Sequence, residues 1–387
     1  MDIGTKIELF KKGSVVEVLT EGELKALFEK EKHPKHYIGF EISGLVHLGT
    51  GLATAIKIKD FMKAGIKPTI FLADYHAWIN GKMGGDLEKI QKVAKGYFKH
   101  CFHSLGLEEG PVKFVMGSDL YEKIGRDYWA DVMRVANNTT KERMLRCTTI
   151  MGRKETDAAL PTSVMMYPAM QVADIWALDV DIAHAGMDQR KVHVLARELA
   201  EKMKRKKPVT VHGALLSGLR GGAKRMDVEV RERKIERAVP GTGGRLRVES
   251  SRRQVSVREL NEDEKMIENK MSKSNPNSCI FIHDSEGEIK KKMKNAYCPP
   301  KIVDGNPVIE MAEMFVLRDK PLLVERDAKF GGDVEFENIA ELNSAFMSGK
   351  LHPMDLKNSV AKELIEILEP SRKYFEKHKK LIDEVKG

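Results

Sequence analysis

Short apolar runs alternate with longer stretches in which apolar residues recur every three to four positions, from residue 19 to residue 213. The runs "HYIGFE" (36–41), "KPTIFLAD" (67–74), "VKFVMGSD" (112–119), "VDIAHA" (180–185) and "PVTVHG" (208–213) read as buried strands. Between them "TGLATAIKIKDFMKAG", closed by Gly65, "DLEKIQKVAKGYFKHCFHSLG" and "DQRKVHVLARELAEKMKRK" carry the helical period. A further helix opens in "LTEGELKALFEKEK", where Thr20 and Glu23 have capping-box spacing. Strand–helix alternation predicts an α/β fold: a doubly wound, Rossmann-like parallel sheet that binds ligands at the carboxyl ends of its strands. Residues 119–160 are more polar and mostly helical in pattern, an insertion between the two halves of the sheet. From about residue 300 the pattern is helical with one short strand. The expected division is a catalytic domain over 1–297 and a smaller, mainly helical C-terminal domain over 298–387.

Charge changes this picture at one place. The chain of 387 residues has a net charge of +9, which suits a polyanionic partner as well as ordinary solubility. Ten Arg and two Lys against five Asp or Glu fall within 220–258. There "MDVEVRERKIER" and "RLRVESSRRQVSV" alternate enough for a hairpin, although a disordered loop fits the composition equally. This basic arm, 220–262, precedes a second lysine-bearing loop. Four scattered cysteines show no ligand spacing, so no disulfide framework and no structural metal is expected. The chain also lacks an apolar run long enough to span a membrane and a signal-like start, which predicts a cytoplasmic protein.

The segment "YPAMQVADIWALD" (167–179) poses a chemical question. As a helix entered at Pro168 it is apolar on nearly every side, so it is buried, and Tyr167, Gln171 and Asp174 share one face. A buried carboxylate without a partner takes up a proton or finds a donor. A nearby backbone amide or Arg would serve; so would a substrate hydroxyl. Elsewhere, "EISGLVHLGTG" leaves a strand and opens a helix, the setting in which backbone amides receive an anion, with Gly44 and Gly49 allowing close approach and His47 and Thr50 adding donors. A tight turn with a packed His is the plainer alternative. "NKMSKSNPN" places Lys270 and Lys273 around Met271 and Ser272, a donor-rich loop able to close on a polyphosphate. "HAGMDQRK" offers Gly186 for contact with a nucleoside and Asp188 for ribose hydroxyls or for helix capping.

Taken together, the HxG segment and the KMSKS segment (270–274) resemble the two signatures of class I aminoacyl-tRNA synthetases. With "YIGFE", "MQVADI", "GMDQRK", "KFGGD" and "LHPMDLKN", the chain resembles the tyrosyl-tRNA synthetases of the archaeal and eukaryotic branch along nearly its whole length. The resemblance implies ATP-dependent activation of L-tyrosine and its transfer to tRNA(Tyr), with ATP as substrate, Mg2+ accompanying it, and a homodimer joined through 119–165. It implies that His47, Thr50, Lys270 and Lys273 are the catalytic set. Gly39, Glu41, Ser43, Gly49, Gly186, Asp188 and Ser272 would complete the ATP site. Tyr37 and Asp174 would meet the tyrosine hydroxyl, Tyr167, Gln171 and Gln189 its amino end, and Asp74 and His76 would line the pocket. In the C-terminal domain Phe330 would stack on an anticodon base and Asp355 would accept from guanine. Three features depart from the family pattern: Thr50 replaces a His, Ile42 a Pro, and the arm is long. The competing readings are a tryptophanyl-tRNA synthetase, a non-catalytic RNA-binding relative, and a dinucleotide-dependent dehydrogenase suggested by "GTGLAT" with Asp74 about 20 residues on.

Overall fold

Six strands form the central sheet of the computed structural model, which describes residues 1–152, 161–220, 228–240, 246–259, 269–271 and 276–386. They are β1 (Val15–Leu19), β2 (Lys35–Glu41), β3 (Lys67–Ala73), β4 (Lys113–Met116), β5 (Ile182–Gly186) and β6 (Val209–Gly213), in the order β1-β6-β5-β2-β3-β4. β2 pairs in parallel with both β3 and β5; β3–β4 and β5–β6 are also parallel. β1 runs antiparallel to β6, with a register shift between Val15 and Glu17. The expected parallel sheet is therefore mixed at one edge. "VVEVL" is short and half-buried, so neither an apolar run nor strict alternation marks it.

Alternation along the central strands assigns their side chains to opposite layers. Ile38, Ile70 and Leu72 join a cluster under the helices of 87–104 and the C-terminal region, including Phe98, Phe102, Leu364 and Phe375. Tyr37, Phe71 and Ala73 face the other layer, with Val172, Ala173 and Ile175 of the helix Tyr167–Ala177 and Val192, Leu195 and Ala196 of Arg190–Lys202. The first cluster runs without a break from the sheet into residues beyond 298.

Local rules account for most element ends. Thr20 and Glu23 form the expected capping box. The helix Leu52–Lys63 is followed by Gly65 at φ 87°. The long helix expected over 86–106 is interrupted, since Leu87–Val93 and Lys99–Ser104 flank a π-helical stretch at Ala94–Phe98. Helices Gly117–Ile124, Arg126–Asn137 and Lys141–Cys147 occupy the predicted insertion. The basic arm is an antiparallel hairpin of β7 (Val228–Pro240) and β8 (Leu246–Glu259), with a register shift between Lys234 and Ile235. The tail holds two short strands rather than one, β9 (Leu322–Val324) and β10 (Val334–Phe336), paired antiparallel, because a lone edge strand leaves its amides unpaired. Its longest helix is Pro353–Lys377.

Candidate active site

The strand order reverses beside β2: β3 and β4 lie to one side, β5 and β6 to the other. Such a switch point opens a crevice at the carboxyl strand ends. A cleft of about 710 Å³ is found there, lined by Gly39 and Glu41 at the end of β2, His184 to Gly186 at the end of β5, and Gly213 at the end of β6. Ser43, His47, Gly49, Thr50, Tyr167, Asp188, Gln189 and Lys270 also line it. Residues more than 200 positions apart, selected on separate grounds, thus meet in one place.

Tyr37, His76, Gln171 and Asp174 do not line this cleft, although Asp174 shares the helix Tyr167–Ala177 with the cleft-lining Tyr167. Asp174 is 1% exposed. Its Oδ1 accepts from Tyr128 Oη at 2.9 Å. Among the described residues Oδ2 has no hydrogen-bond partner, and His76 Nε2 stands 3.5 Å away, too far to bond well. Burial pushes the Asp174 carboxyl well above the carboxylate range. Burial likewise holds His76 neutral, its pKa lowered to about 3. Tyr37, 2% exposed, has its phenol pKa raised by burial and then by the nearby Asp174 charge. The Tyr167 ring meets His76 edge-on at 4.5 Å. The phenols of Tyr128 and Tyr121 oppose the upward shift of Asp174 without cancelling it.

Gln189 lines the cleft, and Gln171 is its neighbour. Gln171 Nε2 donates to Gln189 Oε1 at 3.4 Å, and Gln189 Nε2 to Ile150 O at 2.9 Å. Asp74 is fully buried and spoken for: Oδ1 accepts from Tyr75 N and Ser118 N, Oδ2 from Gln91 Nε2, each at 3.0 Å. That makes it a brace between the ends of β3 and β4.

On the open side, Gly49 N donates to His47 Nδ1 at 3.2 Å, which assigns the ring proton to Nε2, 3.2 Å from Thr50 Oγ1. Ser43 Oγ donates to Glu41 O at 3.1 Å. Lys270 Nζ is paired with Asp188 Oδ2 at 2.8 Å, so the start of the lysine loop is seated on that carboxylate. Met271 N donates to Leu216 O at 2.7 Å and fixes the same segment. Gly186 permits the close packing here, since a Cβ would lie 2.6 Å from Leu215 Cδ2 and 2.7 Å from Asp188 Oδ1. Ser272 and Lys273 lie outside the described residues.

Comparison with known proteins agrees with this constellation. The family model of class I tRNA synthetases (W and Y) matches residues 29–226 and 266–369. The tyrosine–tRNA ligase of Thermococcus sibiricus is 46% identical, covering 100% of this chain and 99% of its own. That of Pyrococcus furiosus is 45% identical with the same coverage. The chain belongs to the tyrosyl-tRNA synthetase family. The tyrosyl-tRNA synthetase structure complexed with L-tyrosine from Pyrococcus horikoshii superposes with a TM-score of 0.86 at 43% identity, covering 100% of both chains. A tryptophanyl-tRNA synthetase structure from Aeropyrum pernix K1 reaches 0.62 at 18% identity, covering 94% of this chain and 84% of its own, a likeness of fold alone.

Within this tyrosyl-tRNA synthetase family member several site residues escape a reading of motifs. Tyr128, from the helical insertion, is the direct partner of Asp174, and the ring of Tyr121 stacks on it at 4.1 Å. Their spacing of seven residues spans two helices broken at Gly125, so no single period reveals it. Asn80 Nδ2 donates to Glu41 Oε1 at 2.7 Å and to Met151 O at 3.2 Å, and Lys82 Nζ lies 3.5 Å from Glu41 Oε2. Both follow the end of β3, where the switch-point rule alone directs attention. Phe330 and Asp355 sit away from the cleft. Phe330 is 64% exposed, with Lys329 Nζ 4.9 Å from its ring centroid. Asp355 lies in the first turn of Pro353–Lys377. Arg326 ties their loops together by donating to Gly332 O at 2.9 Å and Lys350 O at 3.0 Å.

Proposed function

We propose that this chain joins L-tyrosine to ATP, giving tyrosyl-adenylate and pyrophosphate, and then transfers the tyrosyl group to tRNA(Tyr). The observation that carries the reading is the buried Asp174 Oδ2, without a hydrogen-bond partner among the described residues, on the same helix as the cleft-lining Tyr167. A phenol donates one hydrogen bond to that oxygen; a phenyl ring places nothing there, and an indole has a ring N–H but no hydroxyl. Family membership supports the same substrate.

In the first step a tyrosine carboxylate oxygen bonds to the α-phosphorus of ATP, and the bond from that phosphorus to the bridging oxygen breaks, releasing pyrophosphate. No protein nucleophile is needed; rate comes from alignment and from donors aimed at the growing charge. Tyr167, Gln171 and Gln189 hold the amino end, so the carboxylate points toward the cleft. His47 Nε2–H is oriented by Thr50, whose own proton is then available to a phosphate oxygen. Thr50 thus keeps a polar role where the family carries a second His. Lys270 leaves Asp188 for the pyrophosphate as ribose takes over that carboxylate, and Lys273 acts alongside it. Among the described residues no group of three His, Cys, Asp or Glu is placed to hold a metal. Magnesium would accompany the nucleotide as its counter-ion.

Phe330 and Asp355 form the anticodon-reading surface of a C-terminal domain over 298–387, one by stacking and one by accepting from a base edge. The insertion supplies a homodimer face: Trp129 and Met133 on its helix Arg126–Asn137 are 38% and 53% exposed, with Trp78 nearby in the same aromatic series at 47%. Sedimentation of Trp129→Glu checks this, a monomer being expected and an unchanged dimer refuting the assignment. No described helix is long and apolar enough to cross a membrane, in keeping with a cytoplasmic site of action. The decisive assay is ATP–pyrophosphate exchange with each of the twenty amino acids. Exchange with tyrosine alone is expected; exchange with tryptophan and not tyrosine overturns the substrate.

A further inference from the structure

Tyr97 does not line the cleft, yet it is fully buried in the π-helical stretch Ala94–Phe98. Such local widenings of a helix recur at functional positions. Its Oη accepts from Val46 N at 2.9 Å and donates to His283 Nε2 at 3.0 Å. Val46 immediately precedes His47. The same loop is laced to the segment that follows the lysine loop: Ile282 N donates to Val46 O at 3.1 Å, and Leu48 N to Ile280 O at 2.9 Å. His47 and Phe281 form an antiparallel bridge. Gly51 makes the approach possible, because a Cβ there would lie 2.7 Å from Val46 Cγ1 and 2.9 Å from Ile282 Cγ2.

The other side of this arrangement reaches the C-terminal region. Phe375 packs against the rings of His283 at 5.3 Å and Tyr97 at 5.6 Å. It belongs to the 25-residue helix Pro353–Lys377, which begins beside Asp355 and spans roughly 37 Å at 1.5 Å per residue. That helix is seated on the one carrying Tyr97 by Ser104 and Ser371, 2.9 Å apart and buried, and by a hydrogen bond between His100 and Tyr374. A single rod therefore connects the Asp355 end of the molecule with the backbone that presents His47.

We infer that Tyr97 is a positioning residue for the nucleotide step: its hydroxyl sets Val46, hence His47, and makes that setting depend on how the Phe375 end of the C-terminal helix is seated. The inference rests on the reading of the His47–Thr50 pair as the phosphate contact. Two buried groups lose their partner when that one oxygen is removed, and the loss falls on the ATP side of the cleft.

Tyr97→Phe keeps the ring against Phe375 and deletes only the oxygen. In wild-type and variant enzyme, ATP–pyrophosphate exchange is measured against ATP and against tyrosine. About a 10-fold fall in kcat/KM for ATP is expected, with the KM for tyrosine within about two-fold. A general loosening would instead weaken both substrates together. His283→Leu, which keeps the Val46 bond, is the second probe, with a smaller loss on the ATP side alone. Combined with Phe375→Leu, Tyr97→Phe should add less than the product of the two single effects, since both act through one contact. ATP parameters unchanged in Tyr97→Phe, equal losses for both substrates, or full multiplicativity would overturn the inference. Absence of tyrosine-dependent exchange in the wild type would overturn the proposed function instead.

Discussion

A carboxylate at 1% exposure, with one oxygen lacking a hydrogen-bond partner among the described residues, is costly to bury. The direction of its effect on stability follows from linkage. Asp174 has its folded pKa raised above the unfolded value near 4 by burial. The stability associated with its protonated form is complete below that unfolded value and is lost as pH rises through the folded one. Asp174→Asn removes the titration and keeps the volume. The variant without ligand is therefore expected to melt above the wild type at pH 8, by roughly 3 °C per kcal/mol relieved, with the gap closing toward pH 4. Calorimetry at both pH values checks this; an Asn variant less stable at pH 8 would show the acid to be satisfied in the empty site. The same residue was legible in the sequence because helical periodicity forces 167–177 to be buried whatever surrounds it. Tyr128 was not legible, because its contact depends on how two helices turn at Gly125, which no local pattern encodes.

Elements carry the second set of consequences. The strands β2 to β6 were readable because both layers of a covered sheet demand apolar side chains, whereas β1, half-exposed at an edge, leaves no such imprint. The π-helical break at Ala94–Phe98 was hidden for a different reason: its sequence keeps the helical period, and only the tertiary bond from Tyr97 to Val46 reveals the shift. The hairpin β7–β8 falls between the two segments matched by the family model, ahead of the KMSKS loop. Its arginine-rich sequence suits the phosphates of tRNA near the acceptor end. Replacing 226–262 with a short turn is expected to raise the KM for tRNA at low salt and flatten its dependence on salt, leaving tyrosine-dependent exchange intact. An unchanged tRNA KM at low salt would remove the arm from the tRNA-binding surface.

At the scale of the whole molecule the sheet is held together by buried imidazoles as well as by apolar packing. His36 Nε2 lies 3.2 Å from His184 Nδ1, and His193 Nδ1 lies 3.1 Å from His212 Nε2, whose Nδ1 in turn reaches Glu17 at 2.8 Å. Burial lowers the pKa of His36 to about 3 and those of His184 and His193 well below the usual value; His212 is lowered too, although Glu17 opposes the change. These residues are neutral when folded and protonate once unfolded, so their stability is present above about pH 6.5 and is lost as pH falls toward the lowered values. The unfolding free energy from urea titration is expected to fall steadily between pH 6.5 and 5, by up to about 2 kcal/mol for each buried imidazole, and a flat profile would contradict their burial. One continuous core then links the loop of His47, the start of the lysine loop and the C-terminal helices in one frame, while Tyr37, Tyr128 and Tyr167 near Asp174 pack in the cluster on the other face of the sheet. The most direct test of the proposed tyrosine specificity is kcat/KM for tyrosine against phenylalanine in ATP–pyrophosphate exchange, measured for the wild type and for Asp174→Ala. Loss of the bond from the phenol to a buried carboxylate predicts that the preference for tyrosine shrinks by about 10- to 100-fold. A preference that survives the substitution undiminished would mean that Asp174 does not read the hydroxyl.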